Sequence, residues 1–259
     1  MFAELKAARR DATLILTISN PGAKNALHPD MYAAAIESFA NAERDDSVRV
    51  IVLTGADGFF CAGGNLNRLL ENRHRDMEVQ AAAIDNLQGW IEAIRNCPKP
   101  VIAAVEGAAA GAGFALALAC DMIIAGMATK FMMSYVKVGL TPDGGASWFL
   151  GQALPRQLAG EIMFEGKAVL AGRLQQLGLV NRIVADGRVL DAALGWADEL
   201  AALSPNSLNR IKMLIDAAPG NSLVQQCEFE KRHFIQSMQH RDSLEGITAF
   251  LEKRKPQYK

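Results

Sequence analysis

The sequence lacks the residue patterns that support metal sites and disulfide frameworks. It contains four cysteines and four histidines in 259 residues. No CxxC pair is present, and the histidines do not have the spacing of metal ligands. Cys61 and Cys120 lie in apolar runs rich in alanine and glycine, which is typical of buried free thiols. We therefore expect a protein of a reducing compartment, with no metal.

An excess of charge of one sign is also missing. The chain has 27 basic and 28 acidic residues, which gives a formal net charge of −1. A surface with this balance has no global field that attracts a polyanion. We therefore expect no nucleic-acid partner.

Long apolar runs and a secretory leader are absent as well. The longest apolar stretch, residues 101–119, is interrupted by Glu106 and by glycines, which argues against a membrane span. The first residues are MFAELKAARRD. They carry charges and lack the apolar h-region that a signal peptide contains. We expect a cytoplasmic protein that does not associate with a membrane.

Strand and helix patterns alternate through the first two thirds of the chain. Runs of β-branched residues ending at glycine or proline predict strands, and periodic runs that begin after a cap predict helices. The predicted strands are residues 12–21, 48–55, 99–107 and 122–126, and the predicted helices include residues 28–45 and 79–96. From residue 186 onward the pattern is helical. We predict an α/β core over residues 1–185 and a helical region for packing or assembly over residues 186–259.

Two small-residue loops, FFCAGGNL and AAAGAGFAL, each follow a buried strand and lead into a helix. Backbone N–H groups at a helix start have no intrahelical acceptor, and two of them aimed at one point form an oxyanion hole. The candidate donors are the N–H groups of Ala62 and Ala112. Close packing of helix on strand also favours alanine and glycine, so the loops alone leave both readings open.

Five motifs in the usual order carry a resemblance to a known family. They are NPGAKNAL, FFCAGGNL, KPVIAAVEGAAAGAGFALALACDMIIA, VGLTPDGGASWFL and FLEKRKPQY. The chain resembles the enoyl-CoA hydratase/isomerase (crotonase) superfamily, and VGLTPDGG is most similar to its 1,2-epoxyphenylacetyl-CoA isomerase-like branch. The resemblance implies a spiral of ββα units followed by C-terminal helices that build homotrimers or hexamers. It also implies an acyl-CoA thioester substrate and no cofactor.

The resemblance also implies site residues. Its oxyanion hole falls on the N–H groups of Ala62 and Ala112. The expected coenzyme A contacts are Lys24, Ala26, Leu66 and, from a neighbouring subunit, Lys253. The expected wall of the acyl pocket is Phe114, Met132, Tyr135 and Trp148.

The sequence departs from the family's hydratases at both catalytic glutamates. Their positions hold Ala115 and Tyr135 here, and a tyrosine with a pKa near 10 is a poor base at neutral pH. The remaining carboxylate, Asp143, suits a helix N-cap by its spacing, but the resemblance favours a proton carrier. We predict an acyl-CoA isomerase with Asp143 as acid and base. The alternatives are a hydratase with altered acid/base groups and a non-catalytic acyl-CoA-binding protein.

Overall fold

The fold was analysed in a computed structural model that describes residues 2–258. Its strands are β1 (Glu4–Arg10), β2 (Thr13–Ser19), β3 (Val50–Gly55), β4 (Val101–Val105), β5 (Ala108–Ala110), β6 (Met122–Gly126), β7 (Lys130–Met132), β8 (Val169–Leu170) and β9 (Arg182–Val184). Its helices are α1 (Pro29–Arg44), α2 (Leu66–Asn72), α3 (Met77–Asn96), α4 (Ala112–Ala119), α5 (Ala146–Ala153), α6 (Arg156–Glu165), α7 (Ala171–Gln176), α8 (Val189–Ala201), α9 (Pro205–Ala217), α10 (Leu223–Met238) and α11 (Arg241–Leu251), with 3₁₀ turns at Ser134–Val138 and Ala218–Gly220. The strands and helices predicted from the sequence are all present.

The larger sheet has six strands in the order β1-β2-β3-β4-β6-β9. The hairpin β1–β2 is antiparallel, and every later pair in this sheet is parallel. Parallel neighbours place the loops that follow β3 and β4 at one edge, beyond the carboxyl ends of the strands. The two small-residue loops therefore leave the sheet side by side.

The central strands are buried on both faces because alternate residues point to opposite sides. Ile51 and Leu53 belong to the main core under α1, α3 and α4. Val50 and Val52 belong to a second cluster that also holds Ile102, Ala104, Ile124 and the buried face of α8. This explains why β3 and β4 read as unbroken apolar runs in the sequence.

A smaller sheet of β5, β7 and β8 lies beyond the large one. Three times, a strand of the large sheet is followed by a short pairing segment and then a helical turn. These units are β3 with the Cys61–Ala109 bridge and α2, β4 with β5 and α4, and β6 with β7 and the 3₁₀ turn. The order is the expected spiral of ββα units.

Helix α8 changes the expected division of the chain at residue 185. It covers the second face of the large sheet through Val189, Ala193, Leu194 and Ala197, which are all buried. Without this helix, that face of the sheet would be exposed to water. The core therefore continues through α8, and the region outside it begins with α9.

Helices α9 to α11 carry many exposed apolar side chains. Phe234 and Phe250 are 70% and 83% exposed, and Leu223, Val224, Leu244 and Leu251 are also largely exposed. Apolar surface of this extent is typical of an interface with another protein. Among the residues that the structure describes, no helix combines the length and hydropathy needed to cross a membrane.

Candidate active site

The two small-residue loops are held together by backbone hydrogen bonds. Cys61 N–H donates to the Ala108 carbonyl at 3.1 Å, and Ala110 N–H donates to the Cys61 carbonyl at 2.9 Å. The loop after β3 therefore runs beside β5 and the start of α4. The geometry brings the regions of Ala62 and Ala112 together, as the sequence predicted.

Gly63 makes this close approach possible. It has φ of +86°, and a Cβ at this position would lie 2.5 Å from the Ala110 carbonyl oxygen and 3.3 Å from the Ala112 nitrogen. A contact of 2.5 Å with a backbone oxygen is not found for real Cβ atoms, so only glycine fits here. Gly63 thus sets the backbone of one loop against the first residue of α4.

The prediction of Ala62 as a free donor is wrong. Its N–H already donates to the Lys24 carbonyl oxygen at 3.0 Å. Within residues 2–258, the N–H of Gly64 in the same loop and the N–H of Ala112 at the start of α4 have no acceptor. Gly64 and Ala112 are therefore the candidate donor pair, and the N–H of Gly113 in the first turn of α4 is also without a backbone acceptor.

Helix α4 places one of these donors at its positive end. Gly111 is its N-cap, with φ of +51°, and Ala112 is its first residue. All eight residues of α4 are buried, so its N-terminus faces the loop from within the protein. A helix N-terminus stabilises negative charge on a nearby group.

The predicted coenzyme A contacts differ in exposure. Lys24 and Leu66 are exposed, and Leu66 keeps 58% of its surface accessible, whereas Ala26 is buried at 6%. Lys24 and Ala26 lie in the loop that bonds to the Ala62 segment, and Leu66 is the first residue of α2. Lys253 lies in the turn after α11, with φ of +57°.

Asp143 does not cap helix α5. The N-cap of α5 is Gly145, without a side-chain capping bond. The Asp143 carboxylate instead accepts a hydrogen bond from the Tyr135 hydroxyl, with 2.5 Å between Oη and Oδ1. The N-cap alternative is therefore excluded, and the carboxylate is part of a tyrosine–aspartate pair.

The environment of this pair favours its protonated forms. Burial raises the pKa of Asp143 above its ordinary value, while the Tyr135 hydrogen bond opposes that shift. The pKa of Tyr135 is raised by burial, and further by the charge of Asp143, so the phenol remains a donor. A carboxylate with a raised pKa is better matched to proton transfer near neutral pH.

Ala115 lies beneath the Asp143 loop. A Cβ built on Gly144 would be 3.1 Å from the Ala115 Cβ and 3.3 Å from Leu87 Cδ2. Gly144 and Leu87 therefore fill the space into which a longer side chain at position 115 would extend. The small side chain of Ala115 allows the Asp143 loop to pack closely against α4.

The predicted pocket residues separate into different places. Tyr135 lies beside Gly111, since a Cβ there would be 3.5 Å from the phenol ring, and Met132 in β7 precedes it half-buried. Phe114 is fully buried and packs on Phe131 in the core, with ring centroids 5.0 Å apart.

Trp148 is not in the pocket of this chain. It is 53% exposed and lines a cleft of about 300 Å³ together with Asp121. The Asp121 carboxylate accepts the Val101 N–H, which puts that cleft at the amino ends of the strands. The small-residue loops lie at the opposite edge, so the prediction for Trp148 is wrong within the single chain.

Tyr32, on α1, is a neighbour of the tyrosine–aspartate pair that sequence reasoning missed, close enough for the charge of Asp143 to act on its phenol. Burial first, and then the negative charge of Asp143, raises the pKa of Tyr32 to about 12. Its ring contacts Trp90 edge-on at 6.3 Å. No sequence motif contains Tyr32, so only its position in the first turn of α1 could have indicated that it lies near Asp143. Among the described residues, no three His, Cys, Asp or Glu side chains converge as metal ligands.

The fold and the paired loops define a ββα-spiral protein with backbone donors at the start of a buried helix. A family model described as enoyl-CoA hydratase/isomerase matches residues 9–259. The chain belongs to the enoyl-CoA hydratase/isomerase family, as its motifs predicted, and it has the crotonase fold.

Relatives with different names match nearly the whole chain. The 1,2-epoxyphenylacetyl-CoA isomerase of Escherichia coli (strain K12) is 34% identical over 95% of this chain and 94% of its own length. The 2,3-dehydroadipyl-CoA hydratase of the same strain is 33% identical over 99% and 98%. A crystal structure of an enoyl-CoA hydratase from Polaromonas sp. JS666 is 52% identical, with a TM-score of 0.98, covering 99% of this chain and all of that one.

Proposed function

We propose that the protein is an acyl-CoA isomerase that shifts a double bond, or rearranges a ring acyl group, through a thioester enolate. The observation that carries this proposal is the half-buried Asp143, fixed by Tyr135, in a family member without carboxylates at positions 115 and 135. Proton transfer between two carbons of one substrate needs a single base that can return what it removes.

The proposed reaction begins with the thioester oxygen between the N–H groups of Gly64 and Ala112. These donors, free in the chain itself, would stabilise the negative charge that develops on that oxygen. Loss of one such donor typically costs about 3 kcal/mol of barrier. The positive end of α4 adds to this stabilisation.

Asp143 would then move the proton. In a 3-enoyl-CoA, the carboxylate removes a proton from carbon 2, and the electron pair delocalises into the thioester as a dienolate. The protonated Asp143 returns the proton to carbon 4, and the product is the 2-enoyl-CoA. Neither water nor a redox step enters the balance, so we propose that no metal or redox cofactor takes part.

Recognition of the substrate is proposed to use the loops at the same edge of the sheet. Lys24, Ala26 and Leu66 would contact coenzyme A, with Lys253 contributed by a neighbouring subunit. The exposed apolar surface of α10 and α11 supports a homotrimer or hexamer. We propose that this assembly works in the cytoplasm.

The test is the variant Asp143→Asn, assayed with a 3-enoyl-CoA of moderate chain length. We expect kcat to fall about 10³-fold, the range of a general acid–base catalyst, while the substrate Kd stays within about twofold. Calorimetry with a saturated acyl-CoA measures that Kd. Isomerisation near the wild-type rate in the variant would falsify the assignment.

Hydration of a 2-enoyl-CoA is the second candidate, because relatives at 33% and 52% identity carry hydratase names. It would need a second acid or base beside Asp143. Incubation of wild-type protein with crotonyl-CoA, followed by chromatography for the 3-hydroxyacyl-CoA, separates the two activities. Rapid hydration without isomerisation would favour the hydratase. Tight thioester binding without exchange of the carbon-2 proton in deuterated water would instead indicate a binding protein.

A further inference from the structure

The hydrogen bond between Tyr135 and Asp143 is a built feature of the site that proton shuttling alone does not require. Its 2.5 Å length is that of a strong O–H···O⁻ bond. We propose that Tyr135 is a positioning residue: it holds Oδ1 of Asp143, so that the other carboxylate oxygen carries the substrate proton. This inference rests on the proposed function and assigns each oxygen a separate task.

Tyr135 is fixed from its own segment. It lies in the 3₁₀ turn Ser134–Val138, and its carbonyl accepts the Leu140 N–H at 3.0 Å, which closes the turn. Its phenol lies against Gly111, the N-cap of α4, where a Cβ would be 3.5 Å from the ring and 3.6 Å from the hydroxyl. The hydroxyl therefore reaches Asp143 from beside the candidate oxyanion donor Ala112.

Asp143 is fixed from the opposite direction. A Cβ on its neighbour Gly144 would lie within 3.3 Å of Ala115 and Leu87, so the loop has no room for a larger residue there. The Asp143 carbonyl accepts the Ala146 N–H at 3.1 Å, which anchors it to the start of α5. No other side chain among the described residues donates a hydrogen bond to the carboxylate. Tyr135 is therefore the one side chain that orients the carboxylate, beside a backbone hydrogen bond from Asp143 itself.

Few titratable groups lie near the hydrogen-bonded pair of Tyr135 and Asp143. The titratable neighbours are Tyr32 from α1, Cys61 from the loop after β3, and Arg68 from α2, which acts on Tyr32. Burial raises the pKa values of Tyr32 and Cys61 to about 12, so both are neutral at working pH. The hydrogen bond from Tyr135 is thus the main influence that favours the ionised form of Asp143 against its burial.

The first experiment is Tyr135→Phe, which removes the hydroxyl and keeps the ring. With the bond lost, the pKa of Asp143 rises further. We expect kcat for the 3-enoyl-CoA to fall by about 10-fold on the acid side of its pH profile, the usual effect of losing a hydrogen bond to a charged group. The acid limb of the kcat profile should move to higher pH, and KM should change less than about twofold.

Tyr258→Phe is the matched control, because it removes a phenol hydroxyl that lies beside Gly246 of α11 and is not bonded to Asp143. It should leave the acid limb at the wild-type pH. If Tyr135→Phe does not fold, judged by its thermal transition, 3-fluorotyrosine placed at position 135 replaces it. This isosteric and more acidic phenol strengthens the bond and should move the acid limb to lower pH.

The outcomes separate this inference from the proposed function. An inactive Asp143→Asn together with a Tyr135→Phe that keeps the wild-type acid limb would overturn the positioning role alone. A loss of kcat that is equal at every pH would also overturn it, since a merely structural role gives that result. An active Asp143→Asn would remove the proposed function, and the positioning role with it.

Discussion

The two halves of the candidate site are built in different ways. The donors at Gly64 and Ala112 are backbone groups, placed by strand pairing and by the start of a helix. The proposed base is a side chain, Asp143, whose direction depends on the Tyr135 hydroxyl, on a backbone hydrogen bond and on the packing of one glycine. The first half is a property of the fold, and the second is a property of a few residues.

This difference explains how relatives of similar fold carry different names. A chain can keep the thioester-binding half as long as small residues occupy the loops, because backbone N–H groups do not depend on residue type. The acid/base half changes with single substitutions, as Ala115 and Tyr135 illustrate here. Reaction type should therefore be read from side chains, and substrate class from the loops.

The largest expected effect on kcat comes from removing a backbone donor. In Ala112→Pro the N–H is lost, but proline is accepted at the first position of a helix, so α4 should remain. We expect kcat to fall about 10²- to 10³-fold. Steady-state kinetics on the 3-enoyl-CoA measures this effect, and Ala112→Gly, which retains the N–H, should lose far less. Equal losses in the two variants would argue for packing at this position instead of hydrogen bonding.

A second substitution tests whether a carboxylate at position 115 gives the site hydratase activity. In Ala115→Glu a longer, charged side chain enters the space filled by Gly144 and Leu87. Overpacking of this kind costs about 1–3 kcal/mol, and burial of the carboxylate adds to that cost. We expect a lower midpoint in urea unfolding and no gain in crotonyl-CoA hydration. A stable variant with new hydratase activity would show that the Asp143 loop moves freely.

The smallest expected effect is on stability. Burial raises the folded-state pKa of Asp143 above its unfolded value, so this group contributes stability at low pH that is lost as pH rises through the folded pKa. Asp143→Asn should therefore gain in Tm relative to wild type, and the gain should be larger at pH 8 than at pH 4. Calorimetric scans at both values test this. A gain that does not depend on pH would mean that the carboxylate is well solvated.

Much of the fold could be predicted from sequence because its central strands are buried on both faces. Runs such as residues 50–55 and 101–105 have no polar face, and glycine or proline marks their ends. Strand β5 escaped prediction because Ala108–Ala110 has no β-branched residue, and its pairings with β7 and with Cys61 define it. Helix α8 was recognised as a helix, but its partner, the second face of the sheet, is not visible in local periodicity.

The site could be predicted from sequence where a motif contains the side chain concerned. It could be predicted less well where the direction of an N–H group or of a side chain decides its role. Asp143 and Tyr135 were singled out from the sequence, and they proved to be hydrogen-bonded to each other. The choice of Ala62 failed because the direction of an N–H is set by its tertiary partner, the Lys24 carbonyl. Trp148 was misplaced because its helix, α5, faces the amino edge of the strands with that residue.

The bond that removed Ala62 from the donor pair has a consequence of its own. Together with the hydrogen bond from Leu27 N–H to the Gly63 carbonyl, at 2.8 Å, it ties the first loop of the chain to the loop that ends at Gly64. The conformational entropy of this donor loop is therefore lost during folding and not during substrate binding. In the proposed reaction, a thioester at Gly64 would meet a preorganised N–H, and binding energy from its coenzyme A portion would be left to stabilise the transition state.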